Sequence, residues 1–360
     1  MALLTWRTAQ AQSEAFTAEA RNYVTERDRT APLPQLEREL AEIADEVLHG
    51  KNFERKIALN QALFYRLQAI LARPEAYDYS FDSLATVSRL YPEDQSFRIF
   101  TWGMADPSGN HTYYGIVQRR IDTPAGRVYR AIPLLDRVDR TDDIERAILR
   151  DDGWLGALYY KPRNTEFGVL TYTGTVYQPV QRQGKDPLVL DKPTTYYVLM
   201  GINQHDTGSN YKILDVIHFR PDTLDHVYFG LPVFYLSPVA VMRKVFKYSE
   251  NSVMTLNYAP TVRKGLFGQK LVNMIVFDQL EAPTTAQQAA RWNYGAGGGV
   301  SGLEWIDRVY DQRKGFFGYQ RNVVVYDPKL EQYDPKEQRK RQRERQKALE
   351  NARLSTRSGR

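Results

Sequence analysis

A chain of 360 residues that is 42% apolar and 26% charged has the balance of a folded protein with a large core, not of a disordered one. Its 49 Lys and Arg exceed its 43 Asp and Glu, but eleven bases and five acids fall in Pro328–Arg360, so the first 327 residues are charge-balanced. Cysteine is absent, which excludes thiol catalysis, disulfide scaffolds, iron–sulfur clusters and cysteine-based zinc sites, and no apolar run approaches the roughly 18 residues of a membrane-spanning helix.

Residues 1–12 end in Ala9-Gln10-Ala11, the small-x-small pattern that precedes a signal-peptidase cut, yet Arg7 interrupts them and the apolar core of a signal is missing. Two readings stay open: the stub of an export signal that starts upstream, or an ordinary frayed terminus. Residues 13–78 read as helical. Ser13–Tyr23 is rich in Ala and Glu. After Pro34, Leu36, Leu40, Ile43 and Val47 form an apolar stripe ended by Gly50. From Asn52, Phe53, Ile57, Phe64, Leu67 and Leu71 form another, which stops at Pro74. Neither stripe lasts three heptads, so a helical hairpin packed on the body is expected in preference to a coiled coil.

Residues 79–327 read as an antiparallel β domain. Short aromatic and β-branched runs alternate with Gly, Pro, Asn and Asp clusters, and the connections are too short for parallel crossovers. The predicted strands are Phe97–Trp102, Tyr113–Arg120, Arg127–Leu134, Gly156–Tyr160, Gly168–Tyr177, Tyr196–Ile202, Lys212–Phe219, Val227–Phe234, Lys244–Tyr248, Val253–Tyr258, Leu271–Phe277, Glu304–Tyr310 and Asn322–Tyr326. They group into units of two or three strands beginning near Phe97, Gly156, Tyr196, Lys244 and Glu304. The fold class is therefore mainly β, propeller-like or a sandwich or meander, behind an N-terminal helical segment.

One hexamer recurs: Arg263-Lys264-Gly265-Leu266-Phe267-Gly268 and Arg313-Lys314-Gly315-Phe316-Phe317-Gly318, each leading into an apolar strand. The plain reading is two hairpin turns whose Phe folds back on the sheet. The functional reading is a pair of cationic aromatic fingers, with Arg263, Lys264, Phe267, Arg313, Lys314 and Phe317 touching a partner, glycan or lipid headgroup.

His205 and Asp206 sit in the most polar loop of the β region, and Asp215 and His218 follow on the next strand. Convergence across a hairpin would make a polar cluster fit for acid–base work or a metal, but the spacing matches no template, and Asp215 and His218 face opposite sides of a regular strand. Asx-turn chemistry is the commoner cause of such a loop. Gly297–Gly302 matches Gly-x-Gly-x-x-Gly without the strand before it and helix after it that a dinucleotide site needs, and reads as a flexible loop joining the last two β units. The 24 Tyr and 5 Trp, beside carboxylates such as Asp151, Asp152 and Glu166, suit either sugar stacking or glycoside hydrolysis. No cofactor and no metal site is indicated. Residues 328–360, centred on Lys336–Arg345, form a basic tail without an apolar stripe. Such a tail suits an anionic surface, while the charge-balanced body argues against a nucleic-acid-binding face.

At Tyr196–Gly201, Lys212–Ile217, Val227–Phe234 and Ile275–Leu280, within a stretch from Phe97 to Leu280, the chain resembles a group of uncharacterised exported proteins of Bacteroidetes-type bacteria. The resemblance implies an envelope location, periplasmic or extracellular, and a β-rich fold. It brings no activity and no site residues. The leading expectation is a non-catalytic envelope protein that binds a protein partner or a polysaccharide through β-hairpin loops and exposed aromatics. The alternatives are a glycan-directed hydrolase and a nucleic-acid-associated protein acting through the tail.

Overall fold

The computed structural model describes residues 22–136, 143–174, 194–204, 208–220, 223–236, 240–265, 268–281, 295–306, 316–326 and 343. Three helices come first: α1 (Glu26–Thr30), α2 (Leu33–His49) and α3 (Phe53–Leu71). In α2, Pro34 sits in the first turn, where no N–H is required of it, and Leu36, Leu40 and Val47 are buried as their spacing demands. Asn52 caps α3 by accepting from the Arg55 N–H. Ile57, expected on the inner side of α3, is exposed; Asn60 turns inward instead, accepting from the Trp102 indole N–H at 2.8 Å. The Asp28 carboxylate, fully buried beneath α1, accepts from Arg66 Nε at 2.7 Å and from the Thr25 N–H at 2.9 Å. Burial acts to raise its pKa, but these hydrogen bonds prevail and hold it below the usual carboxylate range.

The strands form three sheets, almost wholly antiparallel, and the fold is mainly β. The first is a meander of β1 (Ser88–Leu90), β2 (Phe97–Ala105), β3 (His111–Thr123) and β4 (Gly126–Leu135). The second is built from β5 (Leu149–Arg150), β6 (Leu158–Tyr159), β7 (Leu170–Gly174), β8 (Thr194–Asn203), β9 (Ser209–His218), β10 (Tyr228–Phe229) and β12 (Lys244–Ser249). The third runs in the order β11 (Phe234–Tyr235), β16 (Phe316–Gln320), β15 (Gly295–Ile306), β14 (Gly268–Glu281), β13 (Leu256–Gly265) and β17 (Val324–Val325).

Side-chain alternation shows how these sheets are arranged. Phe100, Trp102 and Ile116 face the helices, whereas Phe97, Ile99 and Val117 on the same strands pack against Tyr159, Leu199 and Ile217 of the second sheet. Val198, Met200, Leu214 and Val216, on that sheet's other face, meet Ile275, Phe277 and Leu303 of the third. The protein is thus a stack of helices and three successive sheets, with one core in each gap. A strand buried on both faces needs apolar side chains at both parities, which is why Tyr196-Tyr-Val-Leu-Met200 shows no alternation although its sheet is antiparallel. The expected antiparallel units are present; they stack as layers instead of radiating as blades.

Two predicted strands and one predicted loop change. Val227–Phe234 is divided at Gly230, so that β10 stays in the second sheet and β11 enters the third. Val253 is 84% exposed, and β13 begins only at Leu256. Residues 295–302, expected as a flexible linker, are the first part of β15 and pair with β14. Glycine serves there for close approach: a Cβ at Gly302 would lie 3.1 Å from Met274 Sδ and 3.2 Å from Val323 Cγ1.

Candidate functional site

The residues flagged by the sequence do not assemble into one site. Arg263 donates through Nη1 to the buried carboxylate of Glu304, a neighbour across the sheet. The first hexamer does close a hairpin, with Gly265 paired to Gly268, while the Lys264 side chain and Phe267 lie outside the described residues. Arg313 and Lys314 also lie outside them. Phe317 does not protrude as a finger. It lies on β16 between β15 and β11, where alternation turns it into the core against Tyr172, Trp305 and Phe234, at ring centroid distances of 4.8, 5.2 and 5.3 Å. Phe317→Ala is therefore expected to cost about 3–5 kcal/mol of stability, read by urea unfolding. A loss of less than about 1 kcal/mol would contradict that placement.

Asp215 and His218 point into different gaps of the stack, as their odd spacing requires. Asp215 accepts from Arg243 Nε at 3.1 Å and from the Tyr159 hydroxyl at 3.3 Å. Arg243, equally buried, also donates to the carbonyls of Ile144, Ala147 and Phe229. The imidazole of His218 is buried beside Tyr228, its Nε2 lacking a hydrogen-bond partner among the described residues, and burial lowers its pKa to about 3. His205 and Asp206 lie outside the described residues, and among those described no group of three His, Asp or Glu is placed to hold a metal ion. Of the basic tail, only Arg343 is described.

The site that the structure does form is a cleft of about 440 Å³ between the segment Tyr77–Gln95 and the loop Lys161–Phe167. α3 ends at Leu71, Pro74 opens a short 3-10 turn (Pro74–Ala76), and the chain then winds past Tyr77 and Ser80 into β1, so this wall rests on the first sheet. The turn before β2 is tied to the second sheet by the Tyr197 hydroxyl, 2.8 Å from both Ser96 Oγ and Asp94 Oδ2. The opposite wall is anchored to the third sheet, since the Arg163 N–H donates to Asn257 Oδ1 at 2.6 Å and Asn164 Nδ2 to the Tyr258 carbonyl at 3.1 Å. The walls meet where the Tyr91 N–H reaches the Phe167 carbonyl, which sets the Tyr91 and Phe167 rings 5.7 Å apart at the cleft's edge. Gly168 permits this junction, having φ +87° and no room for a Cβ, which would stand 2.6 Å from Leu90 Cδ2.

Arg89 and Arg98 line the sheltered part of the cleft, while Lys161 and the acids stand exposed at its rim. The Arg98 guanidinium lies over the rings of Tyr77, Phe81 and Phe100, 5.3–5.7 Å from their centroids. Its N–H groups donate to Gln118 Oε1 and to the carbonyls of Tyr79 and Ala76, and burial lowers its pKa to about 10, leaving it charged at neutral pH. Asp78 and Asp82 have side chains 79% and 83% exposed. Of the four non-glycine residues with positive φ among the described residues, Gln95 lines the cleft, Phe81 lies between its lining residues Ser80 and Asp82, and Asn164 lies in its loop wall. For a bulky residue such as Phe81, at φ 54°, that conformation is strained and persists because the buried ring is fixed by its neighbours.

Of the sequence candidates, only Glu166 lines this cleft. Asp151 instead faces His226 Nδ1 at 3.1 Å, and Asp152 pairs with Arg150. Arg89, Arg98 and Tyr91 carried no motif. The available signal was the run Tyr77-Asp-Tyr-Ser80, unusually rich in aromatic rings for a polar loop. No family model, curated protein or solved structure matches the chain.

Proposed function

We propose that the protein is a non-catalytic binding protein of the cell envelope, and that the cleft beside Tyr91 and Phe167 holds a segment of polysaccharide. The observation that carries this reading is a preformed cleft lined by an aromatic pair, the exposed Tyr91 and the half-buried Phe167, with backbone strain concentrated in its walls. Aromatic rings bury the C–H face of a pyranose, and the acids and bases around them supply acceptors and donors for its hydroxyls. Walls anchored to three different sheets bind without much reordering, which preserves affinity. The envelope location rests on the family resemblance and the Ala9-Gln10-Ala11 pattern.

Titration of the protein with oligosaccharide panels by calorimetry tests the reading. Replacing both Tyr91 and Phe167 by Ala is expected to weaken binding by about tenfold or more, the equivalent of roughly 1.4 kcal/mol or more of lost ring contact, with little change in melting temperature. A panel in which no saccharide binds, or binding indifferent to both rings, would overturn it. Capture of a protein with no saccharide bound would favour a proteinaceous partner instead.

A further inference from the structure

We infer, building on the saccharide reading above, that the ligand is acidic and that the free Nε/Nη2 edge of Arg89 receives its carboxylate in the recess shared with Arg98. Arg89 stands on β1 opposite Phe100 of β2, and its side chain is only 24% exposed. Its Nη1 donates to the Ser80 carbonyl at 2.5 Å and lies 3.4 Å from Asp82 Oδ1, a solvated carboxylate that screens it weakly. Its Nε and Nη2 have no partner among the described residues. That edge is the planar fork that matches a carboxylate with two parallel hydrogen bonds.

Arg98 adds a second charge without offering a second fork. Its hydrogen bonds go to neutral acceptors, an amide oxygen and two carbonyls, so no carboxylate is bonded to this sheltered cation. Burial acts most on the Arg98 pKa, the nearby Tyr77 and Asp78 oppose it, and repulsion from Arg89 adds a smaller lowering. The lower dielectric around these two sheltered cations strengthens their attraction for an anion placed beside them, while the rim acids stand in water. An anion between the cations relieves their repulsion, and the same ligand's hydroxyls find acceptors in Asp78, Asp82 and Glu166. The ligand class that joins a carboxylate to a ring fit for Tyr91 and Phe167 is a uronic-acid saccharide.

Calorimetry on the full chain with a galacturonate oligomer, its methyl ester and a neutral glucan oligomer of equal length decides the matter. The carboxylated oligomer is expected to bind about tenfold or more tightly than its ester, with affinity falling as salt rises, and Arg89→Gln is expected to remove that preference. Arg89→Lys retains the charge and the Ser80 contact without the fork and should recover only part, which keeps the test valid if Arg89→Gln folds poorly. Equal binding of ester and acid, or a preference unchanged in both variants, would overturn the acidic assignment while the Tyr91/Phe167 dependence still upholds the saccharide reading. If none of the three binds at any salt concentration, this inference fails and so does the reading it rests on. Binding of acetate or of a peptide C-terminus as tightly as the galacturonate would show a carboxylate site that does not read sugar and overturn both.

Discussion

Arg243→Met is expected to destabilise the fold by about 3–5 kcal/mol, the usual cost of leaving one member of a buried ion pair alone. Arg243 and Asp215 are both fully inaccessible, within the second sheet and its connections, and the Tyr159 hydroxyl donates to the other carboxylate oxygen. The three carbonyls that Arg243 satisfies, at Ile144, Ala147 and Phe229, lose their donor in the same substitution. For that reason the double variant Asp215→Leu/Arg243→Met, which removes the stranded charge, should regain only part of the loss. Urea midpoints and slopes for the three proteins measure this. A single-variant loss below about 1 kcal/mol, or full recovery in the double variant, would show that the guanidinium is not what joins these segments.

Lowering the pH from 6.5 to 5 is expected to take roughly 2 kcal/mol of stability through His218 alone. Burial holds the folded imidazole near pKa 3, against 6.5 in the unfolded chain. A depressed folded pKa stabilises the protein above the unfolded value, and the contribution is lost as pH falls, because the unfolded chain takes up a proton that the folded one refuses. By pH 3 the loss reaches about 4 kcal/mol, a limit that applies if the site does not open to water first. His218→Leu cannot titrate and should show a flatter profile between pH 7 and 5 in parallel chemical denaturation. Profiles of equal slope would place the acid sensitivity elsewhere.

How much of this was legible in the sequence differs by element. The helix of Leu36, Leu40 and Val47 was readable because it is amphipathic, with one face to the core and one to water. The central strands β8 and β9 were readable as strands from their aromatic and branched residues, but not their burial on both faces, since an uninterrupted apolar run looks the same in many architectures. β16 was lost because Gly315-Phe-Phe-Gly318 resembles a true hairpin tip fifty residues earlier; the structure closes a turn at one copy, while at the other Phe316, Phe317 and Gly318 belong to a strand. The cleft was least legible. Arg89, Tyr91, Arg98 and Phe167 come together only because the first sheet stacks on the second, and no local spacing encodes that meeting.

The pairing of β11 with β16 has a consequence for biosynthesis. These strands run parallel, with Phe234 opposite Phe317, and the Val233 carbonyl accepts from the Phe317 N–H at 2.7 Å. More than 80 residues separate the partners in the chain. As the polypeptide leaves the ribosome, the helices and the first sheet can settle early, whereas Phe234 and Tyr235 emerge well before the strand that covers them. Until residue 317 is free of the exit tunnel, that edge is a short unpaired apolar strand, the kind that chaperones hold and that pairs wrongly with other chains. Completion of the outermost layer is thereby tied to the synthesis of β16.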